Sequence, residues 1–224
     1  MVSPARRHFE AETAAQAAEN GEVDLSKLTA YQRLLKNLHG DKTILKSISG
    51  MADKIKAKAG MLPNYQDWVD GVLAGQHAQP DDKITPTVLV WMIDCGWLDA
   101  AMPLAQFAMQ HGLSPTDEYQ RSMPEIIVEQ YAEQIAQGSE ISDGHLQELI
   151  SWAVNKGENG LHQYNMPDQI RVKLLKAAGE RKEEQGEWQE ALQCYETALA
   201  YNDKAGVKKR IEALNKQLAQ SEAS

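Results

Sequence analysis

The feature that most constrains this chain is the helical spacing of its apolar residues. In the stretch "MLPNYQDWVDGVLAGQ", five large apolar residues recur at intervals of three and four, which places them on one face of a helix. The chain of 224 residues has only 2 Phe and is rich in Ala, Gln, Glu, Lys and Leu, which favours helix over strand. The sequence therefore predicts an all-α protein. The five residues are Tyr65, Trp68, Val69, Val72 and Leu73.

Residues 27–60 carry a second apolar pattern, whose interpretation depends on two glycines. Tyr31, Leu38 and Leu45 are seven residues apart, a spacing that fits either a coiled-coil seam or a compact group of short helices. If Gly40 and Gly50 both interrupt the chain, helices at about 28 to 39, 41 to 49 and 51 to 59 form a helix-turn-helix-like unit. If neither does, one long helix pairs with a partner subunit.

The C-terminal part resembles one unit of a helical repeat. In "GEWQEALQCYETALAYNDKAGVKKR", Ala191, Tyr195 and Ala198 have the spacing of small and aromatic residues in tetratricopeptide hairpins, and Gly179 adds another small residue before them. This pattern predicts a tetratricopeptide-like helical hairpin at the C-terminus. It also leaves open a different class of function, a helical-repeat adaptor that binds proteins and does not bind DNA.

Charge is distributed unevenly along a chain whose net charge is −9. Residues 1–26 carry 2 basic and 5 acidic groups, residues 27–60 carry 8 and 2, residues 61–170 carry 3 and 16, and residues 171–224 carry 10 and 9. Because the local field steers a polyanion, only the second segment is expected to attract one. We predict a flexible arm at 1–26, basic DNA-binding or assembly helices at 27–60, an acidic helical domain at 61–165 and a helical hairpin domain at 166–224.

The basic segment supplies the candidate DNA contacts. Its cations fall largely outside the apolar rows, so folding is expected to leave them exposed to phosphates. One Arg among eight cations favours binding to the DNA backbone over reading of base edges. The candidates are Lys27, Arg33, Lys36, Lys42, Lys46, Lys54, Lys56 and Lys58.

A second cluster near the C-terminus is a candidate phosphate or partner contact. It consists of Lys204, Lys208, Lys209 and Arg210. The preceding helix carries carboxylates that could instead pair with this cluster. These are Glu183, Glu184, Glu187 and Glu190.

Catalytic motifs are absent from the sequence. It contains no glycine-rich phosphate loop, no G-x-S-x-G and no H-E-x-x-H, so the motifs of ATP hydrolysis and of the common hydrolases are missing. A metal-dependent endonuclease would need clustered carboxylates and Mg²⁺, and Asp81, Asp82 and Asp94 are weak candidates, with Asp99 close by. A solvated acidic face or helix caps explain the same residues more simply, so we predict no metal and no cofactor.

Cysteine usage and hydropathy indicate where the protein resides. Cys95 and Cys194 do not form a disulfide framework, and no run of about 18 apolar residues is present to span a bilayer. We therefore expect a reducing cytoplasm and no membrane partner.

An ordered set of sequence segments resembles a known family. "LPNYQDWVDGVL", "VLVWMIDCG", "AAMPLAQFAMQHGL", "MPDQIRVKLLKAAG" and "AGVKKRIEALNKQL" occur in the order seen in the small terminase subunits of tailed double-stranded DNA bacteriophages with cohesive ends. The similarity covers nearly the whole chain. One departure is the segment Trp91 to Asp94, where a W-R-x-D pattern is expected and Met92 stands in place of Arg.

The resemblance implies a role in genome packaging. An oligomeric small subunit would bind the cohesive-end site of double-stranded viral DNA and deliver it to the large terminase ATPase subunit, in the cytoplasm of the infected bacterium. The family also carries an endonuclease designation, which leaves it open whether this chain is itself an enzyme. Because the residues offer no secure catalytic site, we expect cutting to belong to the complex.

Overall fold

The computed structural model describes residues 29–75, 82–116 and 121–222. These residues form α-helices and no β-strand beyond one isolated bridge between Lys156 and His162, so the all-α prediction is confirmed for them. A short 3₁₀ helix, Leu62–Tyr65, joins the second and third α-helices. The α-helices are α1 (Ala30–Ser47), α2 (Met51–Met61), α3 (Gln66–Gly75), α4 (Ile84–Asp94), α5 (Leu98–His111), α6 (Met123–Ala136), α7 (Asp143–Val154), α8 (Asp168–Glu184), α9 (Trp188–Tyr201) and α10 (Lys208–Glu222).

The first helix begins at a capping box and continues through Gly40. Thr29 accepts a hydrogen bond from the backbone N–H of Gln32 at 3.2 Å, and the Gln32 side chain accepts one from the Thr29 N–H at 2.9 Å. Leu38 and Leu45 are both buried on the same side of α1, which holds the helix together across the glycine. The alternative in which Gly40 interrupts the chain is therefore wrong.

Gly50, in contrast, does lie at a break between two helices. Ile48 leaves the helix with extended backbone, and Gly50 is the N-cap residue of α2. The alternative of one long helix is therefore wrong, and the segment consists of two helices joined by residues 48–50. Whether this pair acts as a helix-turn-helix-like unit remains a prediction.

The larger core centres on α4, which is buried along almost its whole length. Side chains from α1 through α7 and from one side of α8 join this core. At its centre the ring of Tyr65 meets Trp91 edge to face, with ring centroids 6.2 Å apart. The predicted basic helices therefore pack into the same core as the predicted acidic domain, and the division of the chain into domains remains a prediction.

A smaller core lies between α8, α9 and α10. Ala191, Tyr195 and Ala198 are fully buried there, as their spacing indicated. A β-carbon at Gly179 would lie 2.6 Å from Cε1 of Tyr195, so only glycine lets α8 and α9 approach this closely. The likeness to a tetratricopeptide unit remains a prediction.

Candidate nucleic-acid interface

The predicted DNA-binding cations lie on α1 and α2, which we call the basic helix pair (Ala30–Met61). Lys46 and Lys56 are exposed, and Lys36 and Lys54 are partly exposed. These four ammonium groups form no ion pair with any residue that the structure describes. Exposed cations without a carboxylate partner are what phosphate binding requires.

Helical geometry sets where these lysines point. Lys36 and Lys46 are ten residues apart, so they lie about 15 Å apart along α1 and on neighbouring sides of it. Lys54 and Lys56 are two residues apart and point to different sides of α2. The basic helix pair therefore presents positive charge over a broad surface instead of along one stripe.

The remaining candidates on the basic helix pair have different surroundings. Arg33 is exposed on α1. Lys42 is partly buried and lines a small pocket between α1, α4 and α6, together with Trp91 and Met123. Lys27 lies outside the described residues.

Lys58 and Asp94, which the sequence assigned to different chemistries, contact each other. The Lys58 Nζ lies 2.5 Å from Oδ2 of Asp94, and their side chains are 17% and 27% exposed. Burial raises the pKa of the Asp94 carboxyl above its ordinary value, the Lys58 ammonium opposes this rise, and the Glu133 carboxylate adds to it. The ion pair connects α2 to α4. Because its ammonium group is paired with Asp94, Lys58 is less available to bind a phosphate.

The neighbouring cysteine is held as a thiol. The Cys95 Sγ donates to the backbone carbonyl of Ile55 at 3.6 Å. Burial raises the pKa of Cys95 to about 11, with the Asp94 carboxylate adding to the rise. At neutral pH this side chain is therefore protonated and a poor nucleophile.

The other candidate carboxylates act at helix N-termini. Asp82 accepts hydrogen bonds from the backbone N–H of Ile84 at 2.8 Å and of Thr85 at 3.1 Å, and also from the Thr85 hydroxyl. Asp99 accepts from the backbone N–H of Ser142 at 3.0 Å and lies 2.6 Å from Nδ1 of His145.

Burial tends to raise the pKa of Asp99, but the hydrogen bonds from Ser142 and His145 outweigh it and hold that pKa below its ordinary value. Asp81 lies outside the described residues. Among those described, no three His, Cys, Asp or Glu side chains are grouped so as to hold a metal ion.

The C-terminal basic cluster is divided between one paired and three exposed cations. Arg210 donates to Glu183 at 3.0 Å and to the Tyr195 hydroxyl at 2.8 Å, and it lies 3.4 Å from Glu180. The predicted pairing is therefore confirmed for Glu183, whereas Glu187 and Glu190 contact Lys182. Lys204, Lys208 and Lys209 are exposed and make no ion pair within the described part of the chain.

Two buried cations, Arg171 and Lys182, were missed by sequence reasoning. Arg171 is 1% exposed and donates to three backbone carbonyls, those of Ala153, Tyr164 and Met166. Lys182 is 2% exposed and contacts three carboxylates. Lys182 lies in the charged run from Glu180 to Glu184, so no local pattern distinguishes it from a surface cation, whereas the position of Arg171 between Ile170 and Val172 is a signal that could have indicated its burial.

Comparison with known proteins identifies the class. The family model described as phage small terminase subunit matches residues 35–171, more than half of the chain. The chain is 32% identical over 223 residues to the "Terminase, endonuclease subunit" of Escherichia phage P2, covering 97% of this chain and 86% of that protein. No solved structure matches.

The chain belongs to the phage small terminase subunit family. The resemblance seen in the sequence is therefore confirmed, and the chain has a terminase role in the packaging of a phage genome. None of the helices in the described ranges combines the length and the apolarity that crossing a membrane demands.

Proposed function

We propose that this chain binds the cohesive-end site of double-stranded viral DNA and delivers it to the large terminase ATPase subunit for cutting and packaging. The observation that supports DNA binding is the set of unpaired lysines on the basic helix pair, in a chain whose net charge is −9. A protein that is acidic overall binds a polyanion only where positive charge is concentrated and not already neutralised.

A single copy offers few phosphate contacts, and few contacts give weak binding. Joining several copies in a homo-oligomer makes the later contacts intramolecular, so the affinity of the assembly greatly exceeds that of one chain. We therefore place DNA binding in an oligomer. Lysines predominate over arginine on the basic helix pair, which favours contacts to phosphates over contacts to base edges.

The rest of the chain limits where the DNA lies. Residues 61–170 carry 16 acidic and 3 basic groups, so this surface repels DNA and leaves an acidic face for the large subunit. Lys204, Lys208 and Lys209 would provide a secondary phosphate or partner contact, because Arg210 is engaged by glutamates.

We place DNA cutting in the complex with the large subunit. The relative from phage P2 is named an endonuclease subunit. In this chain Asp82 caps α4 and Asp94 pairs with Lys58, so both carboxylates already have structural roles. The chain then contributes by positioning the DNA for cleavage.

Two matched triple variants test the DNA-binding surface. One replaces Lys46, Lys54 and Lys56 by Gln, and the control replaces Lys156, Lys176 and Lys216 by Gln, so that both lose the same charge with the same pattern of exposure. We expect the first to weaken binding to a cohesive-end duplex by about tenfold or more and to reduce the salt slope by up to about 0.9 per lysine. The control should stay within about twofold of the parent.

Other outcomes would overturn the proposal in identifiable ways. Equal losses in both variants would mean that binding follows net charge and not the basic helix pair. No binding of DNA at low salt by the parent would favour the helical-repeat adaptor. Cleavage by the isolated protein with Mg²⁺, lost in Asp94→Asn or Asp82→Asn, would show a nuclease in its own right.

A further inference from the structure

The basic helix pair exposes two large apolar side chains among its lysines. Ile44, near the end of α1, is 51% exposed, and Met51, at the start of α2, is 69% exposed. Phosphate contacts account for exposed lysines but gain nothing from exposed Ile and Met. A surface that combines cations with large apolar side chains suits an acidic peptide that also carries apolar residues.

The chain itself contains such a segment immediately before α1. Residues 10–24 include five carboxylates and no Lys or Arg, and Phe9, Val23 and Leu25 supply apolar side chains at its two ends. These residues precede the first described residue, Thr29. The carboxylates are Glu10, Glu12, Glu19, Glu22 and Asp24.

The length of this segment is sufficient to reach both exposed apolar residues. Ile44 lies 15 residues beyond Thr29, or about 22 Å along the axis of α1. Residues 10–28 span up to about 60 Å when extended. Because the segment is tethered at Thr29, its binding to the basic helix pair is intramolecular, with an effective concentration on the order of millimolar, which favours a contact held by weak charge attraction.

We propose that residues 9–25 bind the basic helix pair of the same chain, where they cover Ile44 and Met51 and compete with DNA phosphates for the lysines. The competition rests on the proposed DNA binding, whereas the intramolecular contact does not. DNA, with its much higher charge density, displaces the acidic segment, and polyanions of lower charge density do not. The segment thereby sets a threshold for DNA binding.

The first test removes the acidic charge from the segment. Its variant carries Glu10→Gln, Glu12→Gln, Glu19→Gln, Glu22→Gln and Asp24→Asn. The control makes the same change in charge at exposed carboxylates elsewhere, with Glu158→Gln, Glu184→Gln, Glu196→Gln, Asp203→Asn and Glu212→Gln. At low salt we expect the first variant to bind duplex DNA about fivefold or more tighter than the control, with the difference shrinking as salt rises. Equal affinities of the two variants would overturn the competition.

The second test does not depend on DNA binding. Zero-length carbodiimide cross-linking of a mixture of unlabelled and isotopically labelled full chains, read by mass spectrometry, should join the acidic segment to Lys36, Lys46, Lys54 or Lys56 of the same chain. The double variant Ile44→Ser, Met51→Ser should reduce these products, because it removes exposed apolar contacts without touching the core.

The two experiments distinguish a failure of the intramolecular contact from a failure of the proposed DNA binding. Cross-links to lysines outside the basic helix pair, or mainly between differently labelled chains, would overturn the intramolecular contact. Intramolecular cross-links to the basic helix pair, combined with no DNA binding by the parent or by the charge-removed variant, would keep the contact and overturn the proposed function.

Discussion

The basic helix pair and α8 both carry several cations, but these cations have opposite surroundings. On α1 and α2, Lys46 and Lys56 are exposed and have no carboxylate partner within the residues that the structure describes. On α8, Arg171 and Lys182 are 1% and 2% exposed, and Lys182 lies 3.2 Å from Asp143 and 2.9 Å from Glu190. The same residue types therefore serve a surface in one region and hold helices together in the other.

The comparison shows that the number of cations does not locate a polyanion site. Residues 171–224 carry 10 basic groups, more than the 8 of residues 27–60. Half of those 10 are engaged by carboxylates that the fold brings to them, and the same segment carries 9 acidic groups against the 2 of residues 27–60. These engaged cations are Arg171, Lys173, Arg181, Lys182 and Arg210. Neutralisation of cations by neighbouring carboxylates, and not the number of cations, decides which cluster can attract DNA.

The largest expected effect is the loss of stability when a buried cation of α8 is removed. Arg171→Met leaves three backbone carbonyls without their donor and should lower the free energy of unfolding by about 3 kcal/mol. Lys46→Met, the same kind of change on the exposed surface of α1, should shift it by less than about 0.5 kcal/mol. Urea unfolding followed by circular dichroism measures both, and similar losses in the two variants would contradict the comparison.

The helical class was predictable from the sequence, whereas one helix boundary was not. The periodicity of apolar residues indicated helices throughout, and the described residues confirm them. The sequence left open whether Gly40 interrupts a helix, because glycine in a helix interior costs about 1 kcal/mol relative to Ala. Burial of Leu38 and Leu45 on the larger core outweighs that cost, and this packing depends on residues distant in sequence.

The sequence predicted which segment carries the candidate site, but not the contacts that its individual residues make. Composition located the basic residues, and their place outside the apolar rows correctly indicated exposure for Arg33, Lys46 and Lys56. The contact between Lys58 and Asp94 was not predictable, because these residues are 36 positions apart and meet only when α2 packs on α4. Their separate assignments to DNA binding and to metal binding remain untested as functions.

An intermediate effect on stability is expected at the contact between Lys58 and Asp94, which joins the basic helix pair to the acidic region. Native Asp94 has a raised pKa and binds its proton more tightly than the unfolded chain does, so the free energy of unfolding rises as the pH falls through the native pKa. The parent should therefore gain stability relative to Asp94→Asn as the pH is lowered from neutral, measured by urea unfolding at a series of pH values.

Lys58→Met provides the matched control for this pH dependence. It removes the ammonium group that lowers the pKa of Asp94, so the gain in stability on acidification should become steeper than in the parent. Parallel curves of unfolding free energy against pH for the parent and Asp94→Asn would show that burial of this carboxylate does not cause the pH dependence of stability.

The smallest effect is expected at Arg210, whose surroundings lie between those of the two regions. Its side chain is 46% exposed, yet it contacts Glu180, Glu183 and the Tyr195 hydroxyl. Because solvent screens such a pair, Arg210→Gln should lower the free energy of unfolding by about 0.5–1 kcal/mol, and about 1 M salt should reduce the loss.

Lys216→Gln on the same helix, exposed and without an ion pair in the described ranges, should change stability by less than about 0.3 kcal/mol at either salt concentration. An equal effect of the two substitutions would mean that the glutamates do not hold Arg210 in solution, and Arg210 would then join Lys208 and Lys209 as a cation available to phosphate.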